Sequence, residues 1–261
     1  MTRIAFAVAA HPDDVEFMMA GTLLLLQRAG YEIHLMTLGN GSCGSVQQDA
    51  ASIAAIRRQE CIDAASLVGT IYHESLCPDL EILYSLDLLR PLAATMREVA
   101  PDVLLTHPPQ DYMEDHMNTC RLALSAAFAR GMPNFAVSPP RAPVDKPVTV
   151  YHALPYGLRD PMGRRVYPEF YVDIGDVLGV KRQMLACHRS QKEWLDASQG
   201  IDSYLTHMEE MSREVGHMSG RFEYAEGWTR HLPFGYCDEN TDPIGQTLPP
   251  TSVCQPSTLT P

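Results

Sequence analysis

An apolar run, Ile4 to Ala9, leads straight into Ala10-His11-Pro12-Asp13-Asp14. The run reads as a buried strand, Arg3 to Ala10. Within four residues of its end come an imidazole and two carboxylates. Such groups are costly beside a low-dielectric interior unless they are paired or bound to a metal. In an open parallel sheet, ligand sites gather at the carboxyl ends of the strands. The chain therefore begins with a strand that carries metal-ligand chemistry at the end where α/β folds place it.

The pattern that follows alternates. Gly21 to Ala29, with its block of four leucines from Leu23 to Leu26, reads as a helix stopped by Gly30. Ile33 to Leu38 reads as a strand, Asn40 to Ser45 as a loop, and Ala50 to Val68 as a helix stopped by Gly69. Thr70 to Tyr72 is a short strand candidate, Asp87 to Ala100 a helix, Asp102 to Thr106 a strand, and His116 to Arg130 a helix. The alternation predicts an α/β fold with a mostly parallel sheet flanked by helices, in one domain over residues 1–236. Residues 132–170, dense in Pro at the start, read as an insertion. Further on, Val148 to Ala153 and Phe170 to Ile174 are strand candidates, and Val177 to Leu195 and Ile201 to Val215 read as helices. The Pro- and Thr-rich tail, 237–261, is expected to be disordered or to contact a neighbouring subunit.

Composition narrows the partners. A formal net charge of -12 argues against nucleic acid or an anionic membrane. No stretch approaches the roughly 20 apolar residues of a membrane span. The 7 cysteines are scattered without a Cys-x-x-Cys pair, as for thiols in a reducing compartment. The opening apolar run is short and lacks a cleavage site. The expected location is cytoplasmic.

The second polar cluster, Asp111-Tyr112-Met113-Glu114-Asp115-His116, follows the strand ending at Thr106. It lies in another strand-to-helix loop on the same sheet edge. If Pro12 opens a turn, His11 and Asp14 converge on one ion while Asp13 points elsewhere. Two His and a carboxylate are a common catalytic zinc set with a position open for water. Iron, cobalt, nickel and manganese suit the same ligands. Asp115 is placed to orient an active-site imidazole or to cap a helix.

Several segments together resemble the LmbE-like, or PIG-L, family of metal-dependent N-deacetylases. They are Ala10 to Asp14, Gly21-Thr22-Leu23, Asn40-Gly41, Arg57-Arg58-Gln59-Glu60, Pro78-Asp79, Asp115-His116, and Lys181 with Cys187 to Gln191. The resemblance spans roughly residues 3–232 and implies a Rossmann-like domain holding zinc. By the motif match, His11, Asp14 and His116 are the metal ligands and Asp13 the general base. Arg57 and Asp79 contact substrate. The family's usual reaction removes an acyl group, mostly acetyl, from the 2-amino group of a glucosamine unit. A small amino-sugar substrate is implied, and relatives are often trimers or hexamers.

The chain departs from the family at Met113, where many members carry a His that stabilises the oxyanion or protonates the leaving amine. Losing one oxyanion donor costs about 10²–10³ in rate. His231, in Ala225 to His231, is the candidate replacement, with His188 second. A binding module that kept its metal and lost catalysis is the rival reading. So is a long-chain N-deacylase whose tunnel is lined by the Pro-rich segment. A nucleotide-binding protein would need a Gly-rich first turn in place of two carboxylates.

Overall fold

The computed structural model describes residues 2–192, 204–248 and 252–253. Its sheet has the order β3-β2-β1-β4-β5-β7-β6-β8. β1 (Arg3–Ala9) sits between β2 (Tyr31–Thr37) and β4 (Val103–Thr106), with Ala5 opposite both Ile33 and Val103. β3 (Ile71–His73) and β5 (Thr149–Ala153) extend this parallel half on either side. β7 (Ala225–Arg230), β6 (Phe170–Asp173) and β8 (Ser252–Val253) complete it antiparallel. The mostly parallel α/β sheet read from the sequence is the one observed.

β1 shows why the layers form. Ala5, Ala7 and Ala9 face one apolar core, shared with α2 (Ala20–Arg28), α6 (Leu178–Leu185) and α7 (Tyr204–Ser219). Phe6, Val8 and Ala10 face the other, shared with α4 (Leu86–Val99) and α5 (Glu114–Ala129). A strand buried on both faces reads as a continuous apolar run. α3 (Ala50–Val68) starts on Asp49, whose carboxylate accepts the N–H groups of Ala51 and Ser52. It ends on Gly69 at φ 69°, a left-handed stop that a side chain resists. Among the described residues no helix is long and apolar enough to cross a membrane.

Four readings need correction. A short helix, α1 (Asp14–Met18), precedes α2, because Asp13 accepts the Phe17 N–H and starts a turn before Gly21. The helix expected over 177–195 breaks after α6: His188 turns inward to Glu16, and Glu60 accepts the Ser190 N–H and hydroxyl as a new helical stretch begins. The expected 132–170 insertion contains β5, a central strand, so only its flanks lie outside the sheet. The tail's first part folds onto its own domain. Tyr151 donates to Asp242, Arg230 donates to the Thr241 carbonyl, and Ile244 of α8 (Pro243–Thr247) is fully buried. The rest of the tail call falls almost wholly outside the described residues.

Candidate active site

The chain passes from β1 through β2 to β3 on one side, then returns to β4 and β5 on the other. The crevice between the carboxyl ends of β1 and β4 is thus the topological switch point, where open α/β sheets bind ligands. His11, Asp13 and Asp14 follow β1. His107, Asp111 and His116 follow β4. A cavity of about 640 Å³ opens there, within the range of small-molecule sites.

The three expected metal ligands meet in it. Donor atoms of His11, Asp14 and His116 lie within 4.8 Å of one another. Asp14 Oδ2 is 3.6 Å from His11 Nδ1 and 3.6 Å from His116 Nε2. A tetrahedral ion with bonds of about 2.1 Å spaces its donors by about 3.4 Å, so the set fits one. The opposite nitrogens each face a carboxylate. His11 Nε2 is 2.8 Å from Asp115 Oδ2, and His116 Nδ1 is 3.1 Å from Asp111 Oδ1. Such partners fix a ligating ring and raise its basicity. Asp115 also accepts the Leu80 N–H, so it orients His11, while Asp111 serves its neighbour His116.

The field of these carboxylates calls for a cation. Burial disfavours a charged His11, yet the hydrogen bonds it donates to Asp115 and Asp14 lift its pKa to about 10. Burial likewise opposes ionisation of Asp14, but His116 and the other imidazoles hold it well below the usual carboxylate range. A divalent ion would take over the role of that positive charge.

A second trio, His107, Asp111 and His116, is also close enough to bind an ion. It is poorly suited to catalysis. His107 Nε2 already accepts the Ala10 N–H at 2.9 Å, and neither His107 nor Asp111 lines the cavity. Burial, with His116 beside it, lowers the His107 pKa and keeps the ring neutral. The sequence motifs do not single out His107. Its place one residue beyond β4 was the available signal.

Asp13 lines the cavity beside the trio at φ 97°, a left-handed conformation that costs a non-glycine residue energy. Its Oδ2 accepts the Tyr204 hydroxyl at 2.6 Å and an Arg57 N–H at 3.3 Å. Burial raises the Asp13 pKa, and the Arg57 guanidinium opposes the rise. Arg57 is buried rather than solvated: it also donates to the Pro12 carbonyl and is wrapped by Gly41 and Gly44, where a Cβ would strike its side chain. Tyr204, on α7, gave no sequence signal.

Two expected site residues have other contacts. The Asp79 oxygens accept the N–H groups of Gly41 and Cys43, so its carboxylate holds the glycine loop over Arg57. His231 does not reach the cavity. It bonds to His152 at 2.9 Å and packs on Tyr236. The reason is strand direction: β7 runs antiparallel to β5, and the His231 N–H bonds Val150, away from the ligand edge. His188 faces Glu16 at 3.3 Å, which makes it a packing residue. Lys181, fully buried, pairs with Glu226 at 2.7 Å, and Glu226 accepts the N–H groups of Gly21 and Thr22. The Gly-Thr-Leu, Lys and Ala-Glu-Gly segments are therefore one structural joint.

Residues 6–127, from β1 through α5, match the family model described as GlcNAc-PI de-N-acetylase, PIG-L. The chain is 27% identical over 226 residues to diacetylchitobiose deacetylase of Thermococcus kodakarensis, across 84% of this chain and 80% of that protein. It is 25% identical over 240 residues to 4-oxalmesaconate hydratase of Pseudomonas putida, across 88% and 90%. Its fold matches that of the 4-carboxy-2-hydroxymuconate hydratase of Pseudomonas putida KT2440, with a TM-score of 0.73 and 22% identity over 92% of this chain and 100% of that one. Over residues 6–127, the part that carries the His11, Asp14 and His116 motifs, the chain matches the PIG-L (LmbE-like) family model.

Proposed function

We propose that this chain is a metal-dependent N-deacetylase of a glucosamine-type amino sugar or its conjugate. The observation that carries the reading is the Asp13 carboxylate, set in the cavity beside His11, Asp14 and His116 with one oxygen tied down. Its other oxygen, Oδ1, has no partner among the described residues and is the free base. Those three residues would hold the ion, zinc by the donor set, and bound there it would polarise the amide carbonyl and acidify water.

The rest is the work of the chain's own groups. Asp13 Oδ1 takes a proton from the attacking water, a role typically worth about 10²–10⁴ in rate. Tyr204 and Arg57 fix Oδ2 and keep the carboxylate from turning away. Asp13 then returns the proton to the departing nitrogen, since no imidazole stands at 113 and His231 lies elsewhere. The relatives support the substrate class through the diacetylchitobiose deacetylase.

The test is amine release from N-acetylglucosamine compounds by the zinc-loaded protein, with Asp13→Asn as control. Release that vanishes in the control is expected. Silence across the panel from protein with metal bound would overturn the reading. A second reading, hydration of a conjugated carboxylate, is favoured by the hydratase relative. It predicts that silence together with loss of ultraviolet absorbance from an unsaturated dicarboxylate.

A further inference from the structure

The cavity has two unlike walls. On one side stand Gly44, Arg57, Asp79 and Gln191, with Arg57 Nε and Gln191 Oε1 buried and unpartnered among the described residues. On the other stand Phe17, Met18, Tyr112, Met113 and Tyr156. The aromatic rings form a connected set. Phe17 and Tyr156 have centroids 5.3 Å apart, Tyr156 and His207 5.4 Å, and Tyr112 and Tyr156 6.1 Å. Tyr112 also stands edge-on to the ligand His116 at 5.7 Å, so the set begins at the metal trio and leads outward.

Tyr156 is held there by a built turn. It opens the short turn Tyr156–Leu158, in which Leu158 is 1% exposed at φ 57°. The excursion beyond closes through Arg159 and Arg165, and Asp160 accepts the N–H groups of Met162 and Arg164. Pinning a buried leucine in a left-handed conformation is costly, and what it secures is the tyrosine above Phe17. Yet Tyr156 is 39% exposed and Tyr112 58% exposed. Neither hydroxyl has a partner among the described residues. Burial and the nearby Asp13 carboxylate keep the Tyr156 phenol protonated. Two fixed, half-open aromatic faces beside a metal trio form a stacking surface. Met113, a thioether where an imidazole would be polar, keeps the wall apolar down to the metal trio.

We infer that Tyr112 and Tyr156 form a subsite for an apolar planar group, of the aryl type, attached to the N-acyl amino-sugar unit. This rests on the proposed function for the reacting unit. The polar wall takes the hydroxyl-bearing unit, and the tyrosine wall takes the attached ring. A second sugar would present only its C–H edges to the two ring faces, a weaker contact than ring on ring.

The experiment compares the phenyl and methyl β-glycosides of N-acetylglucosamine, and N,N'-diacetylchitobiose, on the zinc-loaded protein. Binding is followed by calorimetry and turnover by amine release. The phenyl glycoside is expected to bind and react with kcat/KM about fivefold above the methyl glycoside, the scale of one aromatic contact. In Tyr156→Ala the phenyl-to-methyl ratio should fall toward unity. Met162→Ala, at the exposed tip of the same excursion, should keep it. Equal values for the two glycosides, or a preference for the disaccharide, overturns the subsite while leaving deacetylation standing. Tyrosine-dependent binding of the phenyl compound without turnover supports the subsite and counts against the proposed function. No binding of any of the three defeats both.

Discussion

β1 and β4, at the middle of the parallel half of the sheet, lead into the three candidate ligands and Asp13: His11, Asp13 and Asp14 come directly after β1, and His116 comes in the first turn of α5, the helix after β4. β6 and β7, in the antiparallel half, deliver none. Their part is the Lys181–Glu226 joint, which ties α2 and α6 to the sheet, and the His152–His231 pair behind the site. The two halves share one core but divide the work: one presents charge to a cavity, and the other neutralises charge inside the protein. Tyr204 is the exception, a residue of the C-terminal half that reaches Asp13, the proposed general base.

Breaking that division should give effects of different kinds. The largest is Asp13→Asn in the parallel half. It should retain metal and lose about 10²–10⁴ in turnover, read from amine release beside metal analysis. Normal turnover would remove the general base from the account. In the other half, Lys181→Met leaves the Glu226 carboxylate buried and uncompensated. It should cost about 3–5 kcal/mol of stability in urea unfolding. A loss below about 1 kcal/mol would show that the joint is not a framework element.

His152 gives the acid dependence. Burial, with His231 beside it, lowers its pKa from 6.5 to about 4, against the hydrogen bond to the His107 carbonyl. Between those values the unfolded chain binds the proton and the folded one does not. The stabilisation is therefore complete above pH 6.5 and is lost as pH falls through about 4. It amounts to roughly 3 kcal/mol. The difference in unfolding free energy between wild type and His152→Leu should shrink over that window. A difference independent of pH would contradict the neutral buried ring. The smallest effect tests the exception. Tyr204→Phe should lower kcat about tenfold, the scale of one hydrogen bond to a charged group, with KM and metal content little changed because Arg57 still holds Asp13.

The candidate metal trio was legible because its signals are local: a His and two Asp just after one strand, an Asp-His pair opening the helix after another. The strand order then places both loops at one crevice. Tyr204, Tyr156 and the Lys181–Glu226 joint were not legible in this way. Each owes its position to packing between segments far apart in sequence, and no spacing rule connects Tyr204 to Asp13. His231 shows the cost of reading a motif without its strand. Once Ala225–Arg230 is an antiparallel strand, its direction carries the next residue away from the site. Arg57, expected to contact substrate, shows a further limit: its side chain is enclosed by the Gly41 and Gly44 loop, a contact that no spacing along the chain reveals.

The central claim is that His11, Asp14 and His116 hold the ion, and metal content after exhaustive dialysis tests it most directly. Wild type and His107→Ala should each retain one zinc per chain. His11→Ala, Asp14→Ala and His116→Ala should retain none while still folding by circular dichroism. Zinc kept by His11→Ala and Asp14→Ala but lost from His107→Ala would move the ion to the second trio and contradict the account.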